Sequence, residues 1–136
     1  MKYIKEHVPT VVLADDETHI RMMMRVVLAR AGFQILAEAS NGNEAVERCR
    51  ESKPDIVLLD INMPVLNGDE ALRKIVSDNP GVVVIMLTSV SDSLTVSRCI
   101  ELGAANYLRK DTPVQEIAAR VLQTWKDSHT EPGGAE

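Results

Sequence analysis

Residues 55–68, DIVLLDINMPVLNG, decide the fold. Ile56, Val57, Leu58 and Leu59 form an unbroken apolar run, too short for a helix of its own and rich in branched side chains, as expected of a strand buried on both faces. The run then delivers one carboxylate, Asp60, and the turn residues Pro64, Asn67 and Gly68 follow it. Asp60 is therefore expected at a strand's C-terminal end, the edge at which open α/β sheets build their sites.

Upstream, TVVLA at Thr10–Ala14 reads as another buried strand, and it too runs into acid: Asp15 and Asp16, followed by Glu17. From Thr18 the apolar spacing becomes helical, through Ile20, Met23 or Met24, Val27, Leu28 and Ala31, and Gly32 suits a left-handed helix end. Residues 33–39 read as a weaker strand, and Asn41 with Glu44 three residues on matches a capping box for a helix carrying Ala45, Val46 and Cys49. Pro54 stops that helix ahead of the central strand.

Downstream, Ala71, Leu72, Ile75 and Val76 mark a third helix, ended by the turn DNPG at residues 78–81. Residues 82–87 are a second continuous apolar run, closed by Thr88. Residues 91–103 predict a fourth helix with Leu94, Val96, Ile100 and Leu102, and Asn106–Arg109 a last short strand leading to Lys110. Thr112 as N-cap with Pro113 at the first helical position opens a final helix with Ile117, Val121, Leu122 and Trp125. Residues 129–136 lack apolar spacing and read as a loose tail or the start of a linker, leaving one domain over residues 1–128.

Strand and helix thus alternate five times, which predicts an α/β, doubly wound, five-stranded parallel sheet with helices on both faces. The 136 residues suit one domain, and 45% hydrophobic content suffices for a core. A formal charge of −5 argues against nucleic-acid phosphate as the partner. Cys49 and Cys99 form no zinc or disulfide pattern and are expected as buried thiols. The absence of a membrane-length apolar run and the charged start at residues 1–7 predict a cytoplasmic protein. His7, His19 and His129 are expected in solvent, His19 being the nearest to the acid pair.

This fold brings Asp15, Asp16, Asp60, Thr88 and Lys110 to one edge. Clustered carboxylates repel one another unless they take up protons or a cation. Oxygen donors without His or thiolate favour a hard ion, Mg²⁺ or Mn²⁺ in its place. In this reading Asp16 and Asp60 are ligands and Asp15 holds a metal-bound water. Lys110 and Thr88 supply a fixed positive charge and a hydroxyl, suited to the oxygens of a transferring phosphoryl group, and Asp60 can serve as nucleophile.

On these positions the chain resembles a response-regulator receiver domain, the phosphorylatable part of two-component systems, with its CheY-like variant of the flavodoxin-like fold. The resemblance matches Asp15 and Asp16 to the acid pair, Asp60 to the phospho-acceptor, and Asn62 to the residue whose backbone carbonyl reaches the metal. It also matches Thr88 to the switch hydroxyl, Tyr107 to the switch aromatic and Lys110 to the phosphate-binding lysine, with Pro64 and Gly68 in place. It implies phosphoryl transfer to Asp60 from a histidine kinase, a histidine phosphotransfer protein or a small donor. Inward movement of Thr88 and Tyr107 would then reshape the face of the fourth helix, last strand and fifth helix for a downstream partner or an output domain. Two positions depart from the common pattern: Lys110 is followed by Asp111 and Thr112 instead of proline, and Val90 is apolar.

Two other functions compete. Phosphatases with a nucleophilic aspartate place a second Asp two residues after it as acid and base, and here that position is Asn62, so no turnover of a separate substrate is expected. A phosphorylation-independent interaction module would not need a complete site. A homodimer through the last helices is compatible with the sequence.

Overall fold

The computed structural model describes residues 8–89 and 93–129. Strands and helices alternate as β1 Thr10–Ala14, α1 Thr18–Arg30, β2 Gln34–Ala39, α2 Gly42–Ser52, β3 Ile56–Asp60, α3 Gly68–Asp78, β4 Val83–Thr88, α4 Ser93–Glu101, β5 Asn106–Arg109 and α5 Val114–Ser128. The five strands make one sheet in the order β2-β1-β3-β4-β5, and every neighbouring pair is parallel. Parallel strands need crossover connections, and the intervening helices supply them.

Strand alternation divides the apolar side chains between two cores. Val12, Ala14, Val57, Leu59, Val84 and Met86 face α2, α3 and α4, where they meet Val46, Leu72 and Cys99. Val11, Leu13, Ile56, Leu58, Ile85 and Leu87 face α1 and α5, where they meet Met24, Leu28, Ile117, Val121 and Trp125. This explains the uninterrupted apolar runs: β3 and β4 are buried at every position because both faces are covered. Both cysteines are buried and free.

Local signals set the helix ends. Gly32 has φ +105°, and the Phe33 N–H reaches the Leu28 carbonyl at 3.0 Å, as a left-handed C-terminal cap requires. Asn41 Oδ1 accepts from the Glu44 N–H at 2.9 Å, and Glu44 Oε1 accepts from the Ser40 N–H at 2.9 Å. The return bond of the capping box thus lands one residue before the cap. Both bonds to Ser40 hold the Glu44 carboxyl below its ordinary range, the backbone one most.

Three expectations need correction. The last helix begins at Val114 with Pro113 as its N-cap, one residue later than the sequence signal, and no side-chain cap is made. Thr112 is still part of a turn, its N–H bonded to the Arg109 carbonyl at 3.0 Å. The fourth helix runs from Ser93 to Glu101, and residues 90–92, including Val90, lie outside the described residues. Leu94 and Ile100, expected on its apolar face, are 82% and 44% exposed, and Cys99 packs inward instead. Finally, His129 is not simply solvated: its ring lies 3.7 Å from that of Trp125, and its Nδ1 is 2.9 Å from the Trp125 carbonyl oxygen. Residues 1–7 and 130–136, with His7 and nearly all of the expected tail, lie outside the described residues. No helix among the described residues is long and apolar enough to cross a membrane.

Candidate functional site

The hydrogen-bond ladders run one residue past β1, β3 and β5 and so set the position of each acid and base. The Asp15 N–H bonds to the Ala39 carbonyl at 3.0 Å, the Ile61 N–H to Leu87 at 3.1 Å and the Lys110 N–H to Thr88 at 2.8 Å. Asp15, Asp60, Thr88 and Lys110 consequently emerge side by side at the C-terminal edge of the sheet.

Asp60 is 3% exposed and Asp15 is 1% exposed. Asp60 Oδ1 accepts from the Asn62 N–H at 3.1 Å, and its Oδ2 lies 3.2 Å from Lys110 Nζ. The loop beyond it is folded back by the Gly68 N–H, bonded to the Ile61 carbonyl at 2.9 Å. A Cβ at residue 68 would stand 2.6 Å from the Ile61 oxygen and 2.7 Å from its Cα, and would also meet the Asp60 carbonyl. Only glycine fits against the backbone that carries the acid.

Asp15 Oδ1 accepts from the Glu17 N–H at 2.8 Å. Asp15 Oδ2 is buried and receives no hydrogen bond of ordinary geometry, although Lys110 Nζ stands 2.8 Å away as an ion-pair partner. The Asp15 carbonyl accepts from Arg21 Nη1 at 2.7 Å, and Arg21 is tied in turn to Glu38 on β2 at 3.1 Å. Asp16, beside them, is exposed. Carboxylate oxygens of Asp15, Asp16 and Asp60 all lie within 4.8 Å of one another.

Burial and the neighbouring Asp15 charge push the Asp60 carboxyl up to about 7, against the pull of Lys110 and of the Asn62 N–H. For Lys110, burial works against its charge, but contacts with Asp15 and Glu17 and the Asp60 charge outweigh it and raise its pKa above the ordinary lysine range. Both groups are shifted upward, which marks a site with more carboxylate than its one ammonium can balance. An all-oxygen donor set, with one buried carboxylate oxygen lacking a hydrogen bond, fits a hard divalent cation.

Thr88 is buried and Tyr107 is 41% exposed, so the ring does not fill the core. The turn after β5 departs from the common proline form: Arg109 holds Asp111 through two bonds, at 2.9 Å and 2.8 Å. Every peptide bond among the described residues is trans.

The structure adds one residue to which the sequence reading gave no role. Glu17 Oε1 accepts from Lys110 Nζ at 2.8 Å, and this bond and charge hold its carboxyl below the ordinary range. Its place directly after the acid pair is the only sequence signal it carries.

A further cavity of about 410 Å³ opens beside the site, lined by Asn62, Asn67, Thr88, Thr95, Arg98 and Cys99 among others.

Known proteins resemble this chain in sequence and in fold. The chemotaxis protein CheY of Thermotoga maritima is 37% identical over 100 residues, which cover 74% of this chain and 83% of that protein. The transcriptional regulatory protein LnrK of Bacillus subtilis is 40% identical over 113 residues, covering 82% of this chain and 51% of LnrK, so the chain spans about half the length of that relative. A chain in the crystal structure of the CheX–CheY–BeF3–Mg+2 complex from Borrelia burgdorferi superposes with a TM-score of 0.83 at 27% identity, covering 89% of this chain and 92% of that one. The family described as response regulator receiver domain matches residues 11–122. With the parallel sheet, its acidic edge and that match in agreement, the chain belongs to the response regulator receiver domain family.

Proposed function

We propose that the chain is a signalling switch in which Asp60 accepts a phosphoryl group. The observation that carries this reading is Asp60 itself: a buried carboxylate at a strand end, 3.2 Å from a lysine ammonium, with a second buried acid beside it. A nucleophilic oxygen of Asp60 attacks phosphorus in line, the bond to the donor nitrogen or oxygen breaks, and an acyl phosphate remains. The donor is a phosphohistidine on a kinase or phosphotransfer protein, and a small acyl phosphate can substitute.

Each neighbour has a part in that reaction. Lys110 neutralises charge on the incoming oxygens, and Thr88 offers a hydroxyl from the next strand. Asp15, Asp16, Asp60 and the Asn62 carbonyl would hold Mg²⁺, or Mn²⁺, which when bound offsets the negative charge of donor and acceptor. The Asn62 side chain lacks the proton-transfer chemistry of a carboxyl, so the acyl phosphate is a state to be read and no separate substrate is turned over. Tyr107, turned outward, corresponds to the resting state. Its inward turn with Thr88 is what a downstream partner or an attached output domain would read on the face of α4, β5 and α5. The protein acts in the cytoplasm, residues 1–128 being the switch and residues 129–136 a tail or linker.

The test is a two-dimensional amide NMR spectrum with Mg²⁺, before and after beryllofluoride, a phosphoryl mimic. Shifts centred on Thr88, Tyr107 and Lys110 are expected, and they should be absent from Asp60→Asn. An unchanged wild-type spectrum would refute the proposal.

A further inference from the structure

Three carboxylates surround the Lys110 ammonium, and they are not equivalent. The Asp15 and Asp60 side chains are 1% and 4% exposed, whereas that of Glu17 is 46% exposed, although it is bound as closely as Asp15, at 2.8 Å. An ammonium has three N–H groups to give. A phosphoryl group on Asp60 brings three strong acceptor oxygens and nearly two negative charges into reach. Lys110 can serve them only by giving up a present partner.

Asp15 is held in place through its Oδ1, by the Glu17 N–H at 2.8 Å, and Asp60 is the carrier. Glu17 is free to leave. Its side chain makes no cap hydrogen bond to α1, and its backbone carbonyl receives the Ile20 and Arg21 N–H groups, both at 3.1 Å, whatever its carboxylate does. Its departure into water therefore leaves the helix start intact.

Resting on the phosphoryl-acceptor reading of Asp60, we infer that Glu17 is a positioning residue, a placeholder that occupies Lys110 in the resting protein and is displaced by the phosphoryl group. It biases the resting state by the worth of one exposed ion pair, so its removal favours the phosphorylated geometry.

The experiment is a beryllofluoride titration followed by NMR at saturating Mg²⁺, on wild type, Glu17→Gln and Glu17→Asp, with urea unfolding of each as a control on folding. Glu17→Gln should bind beryllofluoride about two- to five-fold more tightly, the equivalent of an exposed ion pair. Glu17→Asp, which keeps the charge but falls short of Nζ, should behave like Glu17→Gln. A damaged site would weaken binding, so tighter binding is a result that a merely structural role does not produce. Unchanged or weaker binding by Glu17→Gln would overturn the inference, as would a Glu17→Asp indistinguishable from wild type. Wild type that binds no beryllofluoride at all would instead strike the phosphoryl-acceptor reading, and this one with it.

Discussion

Lys110 stands between Asp15 and Asp60, its ammonium 2.8 Å from the first carboxylate and 3.2 Å from the second. β5 forms one edge of the sheet and β1 lies three places away, yet the lysine reaches across the ends of β4 and β3 to the acid at the end of β1. One ammonium thereby offsets part of the negative charge of the carboxylate cluster.

Removing that ammonium should be costly in the absence of a cation. Lys110→Met leaves two buried acids facing each other, and a loss of about 3–5 kcal/mol is expected in urea unfolding without Mg²⁺, the scale of a broken buried ion pair. Added Mg²⁺ should restore part of it. A variant as stable as wild type in chelator would contradict this.

Asp60 titrates high, and the sign of its effect on stability follows. Because its carboxyl is raised from 3.8 to about 7 in the folded protein, its contribution is full below about 4 and is lost as pH rises through about 7. Asp60→Asn should therefore stabilise the metal-free protein, and by more at about pH 8 than at about pH 5.5, the difference being on the order of 1–2 kcal/mol. Thermal unfolding at the two pH values checks it. An equal gain at both would show that Asp60 charge is not the cause.

Asp16 is exposed, so its charge costs the fold little and its loss should show in cation binding. Mg²⁺ should raise the melting temperature of wild type progressively with concentration, as a ligand specific to the folded state does. Asp16→Asn should leave the chelated protein within about 0.5 kcal/mol of wild type, as surface substitutions do, while most of the Mg²⁺-induced rise disappears. Retention of the full rise would remove Asp16 from the cation site.

Gly68→Ala should destabilise by about 1–3 kcal/mol or more, because the added methyl would drive into the backbone of Asp60 and Ile61, which carries the site and cannot swing aside like a side chain. Urea unfolding followed by Trp125 fluorescence measures it. Wild-type stability would mean that the loop lies further from the strand end.

Much of this could be read from the chain. Continuous apolar runs announce strands covered on both faces, and the residue that breaks each run, Asp15, Asp60 or Thr88, is the one the sheet edge presents. Gly32, Asn41 and Glu44 signalled their helix ends because caps are local chemistry. The Glu17–Lys110 bond joins residues 93 apart in sequence and depends on how far two side chains extend above the sheet, which no pattern records. Thr112 and Pro113 gave a helix start one residue early because the Arg109 carbonyl claims the Thr112 N–H for a turn. Val65 has φ +72° in a tight turn closed by the Leu66 N–H on the Pro64 carbonyl at 2.8 Å. A β-branched residue is the last expected in that region, so Pro64 signals the turn but nothing in the sequence marks Val65 as its left-handed residue.

The central claim is that Asp60 carries phosphate, and chemical trapping tests it most directly. The protein is incubated with acetyl phosphate and Mg²⁺, reduced with borohydride, which converts an aspartyl phosphate to homoserine, and mapped by peptide mass spectrometry. Homoserine at position 60 is the predicted result, absent without the donor. Homoserine at another acid, or none anywhere while the protein remains folded, would contradict the account.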